Sequence, residues 1–177
     1  GGEKRFDEKL DSLFTYGHYW HGNEPGHQIP YLYPYAGKPW KTQEVLHRIV
    51  REEYSISPGG LSGNEDAGQM SAWLVFTMTG FYPVCPSVPE YVLGRPFFNE
   101  LTIHNAYGNP FTILVKNQSD ANLYIQEMKL NHEPYPFSRI MHEDIMKGGL
   151  MEITMGPEPN RSLAQDKQLR PMSWNDE

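Results

Sequence analysis

Apolar positions recur with a helical period in the first half of the chain and with a strand-like rhythm in the second. Phe6, Leu10, Leu13 and Phe14 fall at i, i+4, i+7 and i+8, one face of a short helix. Val45, Leu46, Ile49 and Val50 repeat the pattern in a second helix, with Thr42 a candidate N-cap and Pro39 upstream. The third segment, 70–78, reads Met-Ser-Ala-Trp-Leu-Val-Phe-Thr-Met and is apolar nearly all round, which predicts a helix buried on several sides. Gly80 is placed to end it, and Glu65 and Asp66 stand at its start, where the helix dipole favours negative charge.

After Pro83 the runs 101–104, 111–115, 123–126 and 151–154 are short and rich in β-branched and aromatic residues. Clusters such as Tyr107-Gly108-Asn109-Pro110 and Lys147-Gly148-Gly149 separate them. This spacing predicts an antiparallel sheet or half of a sandwich. The stretch 161–177 is polar and aperiodic and reads as a frayed tail. The chain therefore divides into a helical segment 1–83, a β-rich region 84–160 and the tail 161–177, an α+β organisation.

Composition narrows the function. With 15 Lys+Arg against 22 Asp+Glu the net charge is −7, and no basic stripe offers a nucleic-acid surface. No apolar run approaches the ~20 residues of a membrane span. The opening Gly1-Gly2-Glu3-Lys4-Arg5 does not read as a signal peptide. Cys85 is the single cysteine, so no internal disulfide forms. The 13% aromatic content, interleaved with His, Asn and Glu, suits wet concave surfaces that hold polar ligands with apolar faces.

Two loops carry candidate chemistry. The first, His21-Gly22-Asn23-Glu24-Pro25-Gly26-His27-Gln28, follows Tyr19 and Trp20 and has turn geometry. Its Asn, Glu and Gln offer the oxygen ligands Ca²⁺ prefers, whereas two His six apart fit no common zinc spacing. A polar loop capping neighbouring helices is the alternative. The second, Gly63-Asn64-Glu65-Asp66-Ala67-Gly68-Gln69, opens onto the buried helix. Adjacent carboxylates there raise one another's pKa, a tension a general base can use or a cation can relieve. It is no EF-hand, since counting from Asn64 the sixth position is Gln69 and the twelfth Val75. On spacing alone, N-capping by Asp66 or Asn64 is the better explanation.

Taken together, Asn23-Glu24-Pro25-Gly26-His27, Pro39-Trp40-Lys41-Thr42-Gln43, the run from Gly63-Asn64-Glu65-Asp66 to Ser71-Ala72-Trp73, and Gly80-Phe81-Tyr82-Pro83-Val84 resemble the signatures of glycoside hydrolase family 92. His142-Glu143-Asp144-Ile145-Met146-Lys147-Gly148-Gly149 matches its C-terminal region, and the likeness runs over 6–159. The family comprises calcium-dependent, inverting, exo-acting α-mannosidases, many of them bacterial α-1,2-mannosidases. The resemblance implies the C-terminal helices of an (α/α) toroid followed by an antiparallel β-sheet or sandwich portion. It implies Asp66 as catalytic base, with Asn64 standing where some relatives carry a second Asp that helps hold the attacking water. Glu24 and Gln28 become metal ligands for Ca²⁺. His21, Asn23, His27, Trp20 and Glu65 become sugar contacts, with Tyr19 adding an apolar face and Trp73 belonging to the core.

An inverting glycosidase also needs a carboxylic acid roughly 6.5–9.5 Å from its base. In the family that acid is a Glu in a Glu-Gly-Asn-x-x-Gln-Tyr type motif, which these 177 residues do not contain. The resemblance therefore implies the C-terminal part of a larger enzyme, inactive alone, whose partners are a mannose-terminated glycan and its own missing N-terminal part. It further implies a secreted or periplasmic setting. Two rivals from other classes are a non-catalytic glycan-binding or structural module and a simple calcium-binding protein. The latter lacks the usual six to eight ligands. The apolar surface of 70–78 also requires walls that this chain does not contain.

Overall fold

Proline sets where the second helix begins. The computed structural model describes residues 2–173. In it α2 (Pro39–Glu52) starts with Pro at its first turn, where the fixed φ is already helical and the missing N–H costs nothing. Thr42 is thus inside the helix and not its cap. It is fully buried, and its Oγ1 donates to the Pro30 carbonyl at 2.8 Å. Helix α1 (Gly2–Thr15) buries Leu10 and Phe14 but leaves Phe6 at the surface. Its other buried position is Asp7, which meets Lys38 and, at 2.8 Å, Lys41 Nζ. Burial alone would push the Asp7 carboxyl up. The two lysines outweigh it and hold the group below its ordinary value.

Between α1 and α2 the chain winds through three 3₁₀ turns, Glu24–Gly26, Ile29–Tyr31 and Tyr33–Ala36, each with Pro near its start. Helix α3 (Gln69–Thr79) ends at Gly80, whose φ of 101° only glycine adopts freely and whose N–H closes onto Phe76 and Thr77. Of its apolar residues only one side is covered: Met70 and Trp73 are fully buried, while Val75 is 64% exposed. Trp73 packs with Leu10, Phe14, Tyr31, Leu46 and Tyr82 in the helical core.

Strands β1 (Phe81–Tyr82), β2 (Glu90–Leu93) and β7 (Arg139–Met141) form one antiparallel sheet. Because β1 lies before Pro83 and β2 after it, that sheet bridges the helical and β-rich stretches. Strands β3 (Glu100–Ile103), β4 (Phe111–Lys116), β5 (Tyr124–Leu130), β6 (Glu133–Pro134) and β8 (Gly149–Gly156) form a second, in the order β3-β4-β8-β5-β6. The four predicted runs are all strands here, yet the sheet is mixed, because β4 and β8 run parallel from Phe111↔Gly149 to Lys116↔Thr154. Parallel neighbours need a long crossover. Here β5, β6, β7 and α4 (His142–Lys147) intervene before Gly148 and Gly149 turn the chain back beside Pro110. Phe111, Ile113, Ile125, Met151 and Ile153 fill the core under this sheet.

The α and β cores are joined by buried polar groups. Gln43 Oε1 on α2 accepts from the Ile125 N–H of β5 at 3.0 Å. Arg95, fully buried, donates to His47 Nδ1 at 2.5 Å and lies 4.5 Å over the Phe97 ring. Nor is the C-terminal stretch frayed as far as it is described. Ala164 is buried, Leu169 accepts from Ser138 N–H, Met172 N–H donates to Glu90 Oε1, and Arg170 pairs with Glu3 at 3.1 Å. Leu163 also packs against the β core, so apolar, backbone and ionic contacts together order a segment with no periodic pattern. The rest of the predicted tail, 174–177, lies outside the described residues.

Candidate active site

The two candidate loops cross backbone against backbone. A Cβ on Gly63 would lie 2.3 Å from the Gly22 carbonyl oxygen and 2.5 Å from its Cα. A Cβ on Gly22 would meet the Trp20 indole at 2.5 Å. No side chain fits at either position, so the glycines exist to let two loops separated by 40 residues of chain meet. Trp20 itself stays 58% exposed beside the crossing.

Below the crossing, two histidines form a buried stack. The rings of His21 and His27 are 4.4 Å apart with an interplanar angle of 20°, and both are essentially inaccessible. Their tautomers follow from their partners. The Tyr54 hydroxyl gives its single proton to the Met70 carbonyl at 3.0 Å, so toward His21 Nε2 at 2.7 Å it can only accept. His21 therefore carries its proton on Nε2, and Nδ1 accepts from the Tyr19 hydroxyl at 2.8 Å. His27 Nε2–H donates to the His21 carbonyl at 2.9 Å, and its Nδ1 accepts from Gln69 Nε2 at 3.1 Å. Both rings are thus neutral. Burial, reinforced by His27, pushes His21 down to about 3. Burial also lowers His27, against the opposing pull of the His21 carbonyl and the Glu24 charge. No ring nitrogen is left to face a ligand, so in this fold both histidines buttress the loop.

At the mouth of α3 the two carboxylates part company. Glu65 caps the helix: its Oε1 accepts from Ser71 N–H at 2.9 Å and its Oε2 from Ser71 Oγ at 2.8 Å. The N-cap position is Gly68, with no side-chain cap of its own. Neither Asp66 nor Asn64 caps anything. Both are exposed, and the Asp66 carboxylate takes no hydrogen bond or ion pair from the described residues. Asp66, Ala67 and Gly68 have φ of 42°, 58° and 88°, three consecutive left-handed residues. Asp tolerates that region and Ala does not, so the turn holds strain of order 1–3 kcal/mol that the flanking contacts must offset.

In the first loop, Glu24 opens its 3₁₀ turn with Oε1 buried and without a hydrogen-bond partner, and Ser62 Oγ, next to Gly63, is in the same condition. A buried carboxylate oxygen left unpaired is costly and calls for a cation or a donor. Gln28 is half-buried nearby in sequence and Asn23 is exposed. Among the described residues no three His, Cys, Asp or Glu side chains converge on one point. The one observation here that suits a hard cation is the buried, unpartnered Glu24 oxygen, a single anionic ligand of the type such ions take. Two clefts, of about 460 Å³ between α1 and α2 and about 670 Å³ beside Arg170, include no residue of either loop.

Sequence reasoning placed Asp66, Asn64, Glu24, Asn23, Gln28, Trp20, His21, His27 and Glu65 on these two loops, and the fold brings the loops together. It missed Tyr54 and Tyr82, which hold the histidines and Gln69 in place. Gln69 directly follows the strained turn, and its position inside the motif was a usable signal. Tyr54, 33 residues from His21, had none.

The profile of the glycosyl hydrolase family 92 catalytic domain matches residues 1–157. A protein of Arthroderma benhamiae described as an uncharacterized secreted glycosidase is 34% identical over 161 residues, covering 89% of this chain and 21% of that protein. A family GH92 α-mannosidase of Bacteroides thetaiotaomicron superposes with a TM-score of 0.93 at 39% identity, covering 98% of this chain and 24% of that one. A GH92 inverting mannosidase of the same organism gives a TM-score of 0.91 at 32% identity, over 98% and 27%. The chain thus spans about a quarter of the length of these relatives or less. No helix among the described residues is long and apolar enough to cross a membrane. With a profile matched over most of its length and close superposition on two of its structures, the chain belongs to glycosyl hydrolase family 92.

Proposed function

We propose that this chain is the C-terminal part of the catalytic domain of an inverting exo-α-mannosidase that removes terminal α-linked, chiefly α-1,2-linked, mannose from glycans. In this reading residues 1–83 belong to the (α/α) toroid and 84–160 to its terminal β region. The general acid lies in another part of the enzyme, so the chain alone does not turn over substrate. The naming of a relative as secreted supports an extracytoplasmic setting for the whole enzyme.

The observation that carries the reading is the division of labour at α3. Glu65 takes the capping role, which leaves the Asp66 carboxylate unpaired and outward on a strained turn. A carboxylate so placed can accept a proton from the water that attacks the anomeric carbon, while the leaving oxygen receives its proton from the acid on the opposite face. Asn64, two residues away and exposed, can donate its amide hydrogens to orient that water. Trp20 offers an apolar face to the sugar, and Asn23 offers polar contacts. Glu24 and Gln28 would hold a calcium ion. A calcium ion there would supply Lewis-acid polarisation to the sugar hydroxyls. His21 and His27 set the height of that loop without touching substrate.

The test is the complete enzyme with Asp66→Asn. Hydrolysis of α-1,2-mannobiose is expected to fall by roughly 10²–10⁴-fold with mannose binding retained, the range of a lost general base. Undiminished turnover would remove Asp66 from the mechanism. Full turnover by the 177-residue chain alone would overturn the placement of the acid elsewhere.

A further inference from the structure

We propose that Gln69 is the positioning residue that locks the base-bearing turn to the cation-binding loop. The inference rests on the mannosidase reading and deepens it. The first turn of α3 is tied to the first loop at several points. Trp73 Nε1 donates to the His27 carbonyl at 2.9 Å, and Met70 lends its carbonyl to Tyr54, which receives His21. Those contacts fix the helix as a whole. Among the described residues of α3, Gln69 is the one whose side chain hydrogen-bonds the His27 ring, and it stands three residues from Asp66. Its amide nitrogen divides its two hydrogens between His27 Nδ1 at 3.1 Å and the Tyr82 hydroxyl at 3.2 Å.

The consequence is a defined sequence of constraints. Gln69 donates to Nδ1, which obliges His27 to carry its proton on Nε2. That proton binds the His21 carbonyl, immediately before the Gly22–Gly63 crossing. Glu24 begins its 3₁₀ turn two residues beyond Gly22. The distance between the Asp66 carboxylate and the Glu24 carboxylate is thereby set through one amide and one imidazole, not through the exposed parts of either loop. Removing the donor leaves His27 free to take the other tautomer, which releases the His21 carbonyl and loosens the crossing. Outer-shell partners of this kind typically alter activity or cation affinity by about 10–100-fold.

The experiment uses the complete enzyme with Gln69→Met, which keeps length and bulk, and Gln69→Glu, which keeps an oxygen but no donor. Three readouts are taken: kcat and KM on α-1,2-mannobiose, the Ca²⁺ concentration for half-maximal activity, and the ¹⁵N shifts of the His27 ring. The expected result is a fall in kcat of about 10–100-fold with a smaller change in KM, a weaker Ca²⁺ response, and loss of the pure Nε2–H signature in both variants. A merely structural role would lower the melting temperature without moving the tautomer. Two results overturn the proposal: kcat within about twofold of the parent in a folded variant, or a parent His27 protonated on Nδ1. The second is read on the unsubstituted protein and holds even if neither variant folds. A parent enzyme inactive on every α-mannoside would instead sink the mannosidase reading, and the His27 signature would still decide the coupling.

Discussion

His21 stacks on His27 with their ring centroids 4.4 Å apart, and neither imidazole can be charged without placing a cation between buried aromatic rings. The His21 pKa lies near 3 in the folded chain, against 6.5 for the free side chain. Below pH 6.5 the unfolded chain therefore binds a proton that the folded chain refuses. Stability is fully present above about 6.5 and is lost progressively as the pH falls toward 3. The expected outcome is a melting temperature that is flat from pH 7 to 8 and declines through pH 6, 5 and 4. A His21 ring seen by NMR to titrate near 6.5 would refute the neutral stack.

The crossing of Gly22 over Gly63 makes a second expectation. An added Cβ at Gly63 meets backbone at 2.3 Å, which no side-chain adjustment relieves. Gly63→Ala should cost roughly 3 kcal/mol or more, in the class of severe steric changes. Gly68→Ala is the comparison, since its Cβ would meet nothing within 4 Å and only its φ of 88° opposes the change. That should cost about 1 kcal/mol. Urea denaturation of the two variants separates them, and equal losses would mean that the loops do not meet as closely as this.

Much of this arrangement was legible before the fold was known, and the reasons for the gaps are local. The periodicities of α1, α2 and α3 are long enough to read, and so are the alternating runs of β4 and β8. Strands β1, β6 and β7 have two or three residues and no room for alternation. The parallel pairing of β4 with β8 depends on a crossover that no residue pattern announces. Thr42 looked like a cap because its type favours caps, but Pro39 starts the helix earlier and turns Thr42 inward to Pro30. Asp66 and Asn64 were the capping candidates at α3, and the cap is Glu65 instead. Which side chain bends back to Ser71 was not readable from spacing, since it depends on the left-handed φ of Asp66 and Ala67.

Glu65 offers a way to separate capping from sugar contact. Its two oxygens bind Ser71 N–H and Oγ, so Glu65→Ala should destabilise the protein by about 1 kcal/mol, the usual cost of a lost cap. Glu65→Gln keeps one acceptor and should lose less than half of that. If Glu65 serves only the helix, both variants of the complete enzyme keep their KM for α-mannosides, and kcat falls only as far as the Asp66 turn loosens. A KM raised tenfold in Glu65→Gln with unchanged melting temperature would return Glu65 to the sugar contacts.

The outward side of α3 tests whether the chain is a piece of a larger fold. Val75 is 64% exposed on a helix whose sequence is apolar nearly all round, and the chain covers only 24% and 27% of two of its GH92 structural relatives. If the rest of the enzyme covers this face, Val75→Lys buries an unpaired charge in the complete protein and should cost roughly 3 kcal/mol. In the 177-residue chain the same change places a lysine in water. It should leave stability within about 0.5 kcal/mol and reduce self-association at high concentration, because it breaks an exposed apolar stripe. Melting of both forms, with light scattering of the shorter one, gives the comparison. Opposite responses to a single substitution are what a covered interface requires, whereas an unchanged melting temperature in the complete enzyme would leave Val75 facing solvent in both.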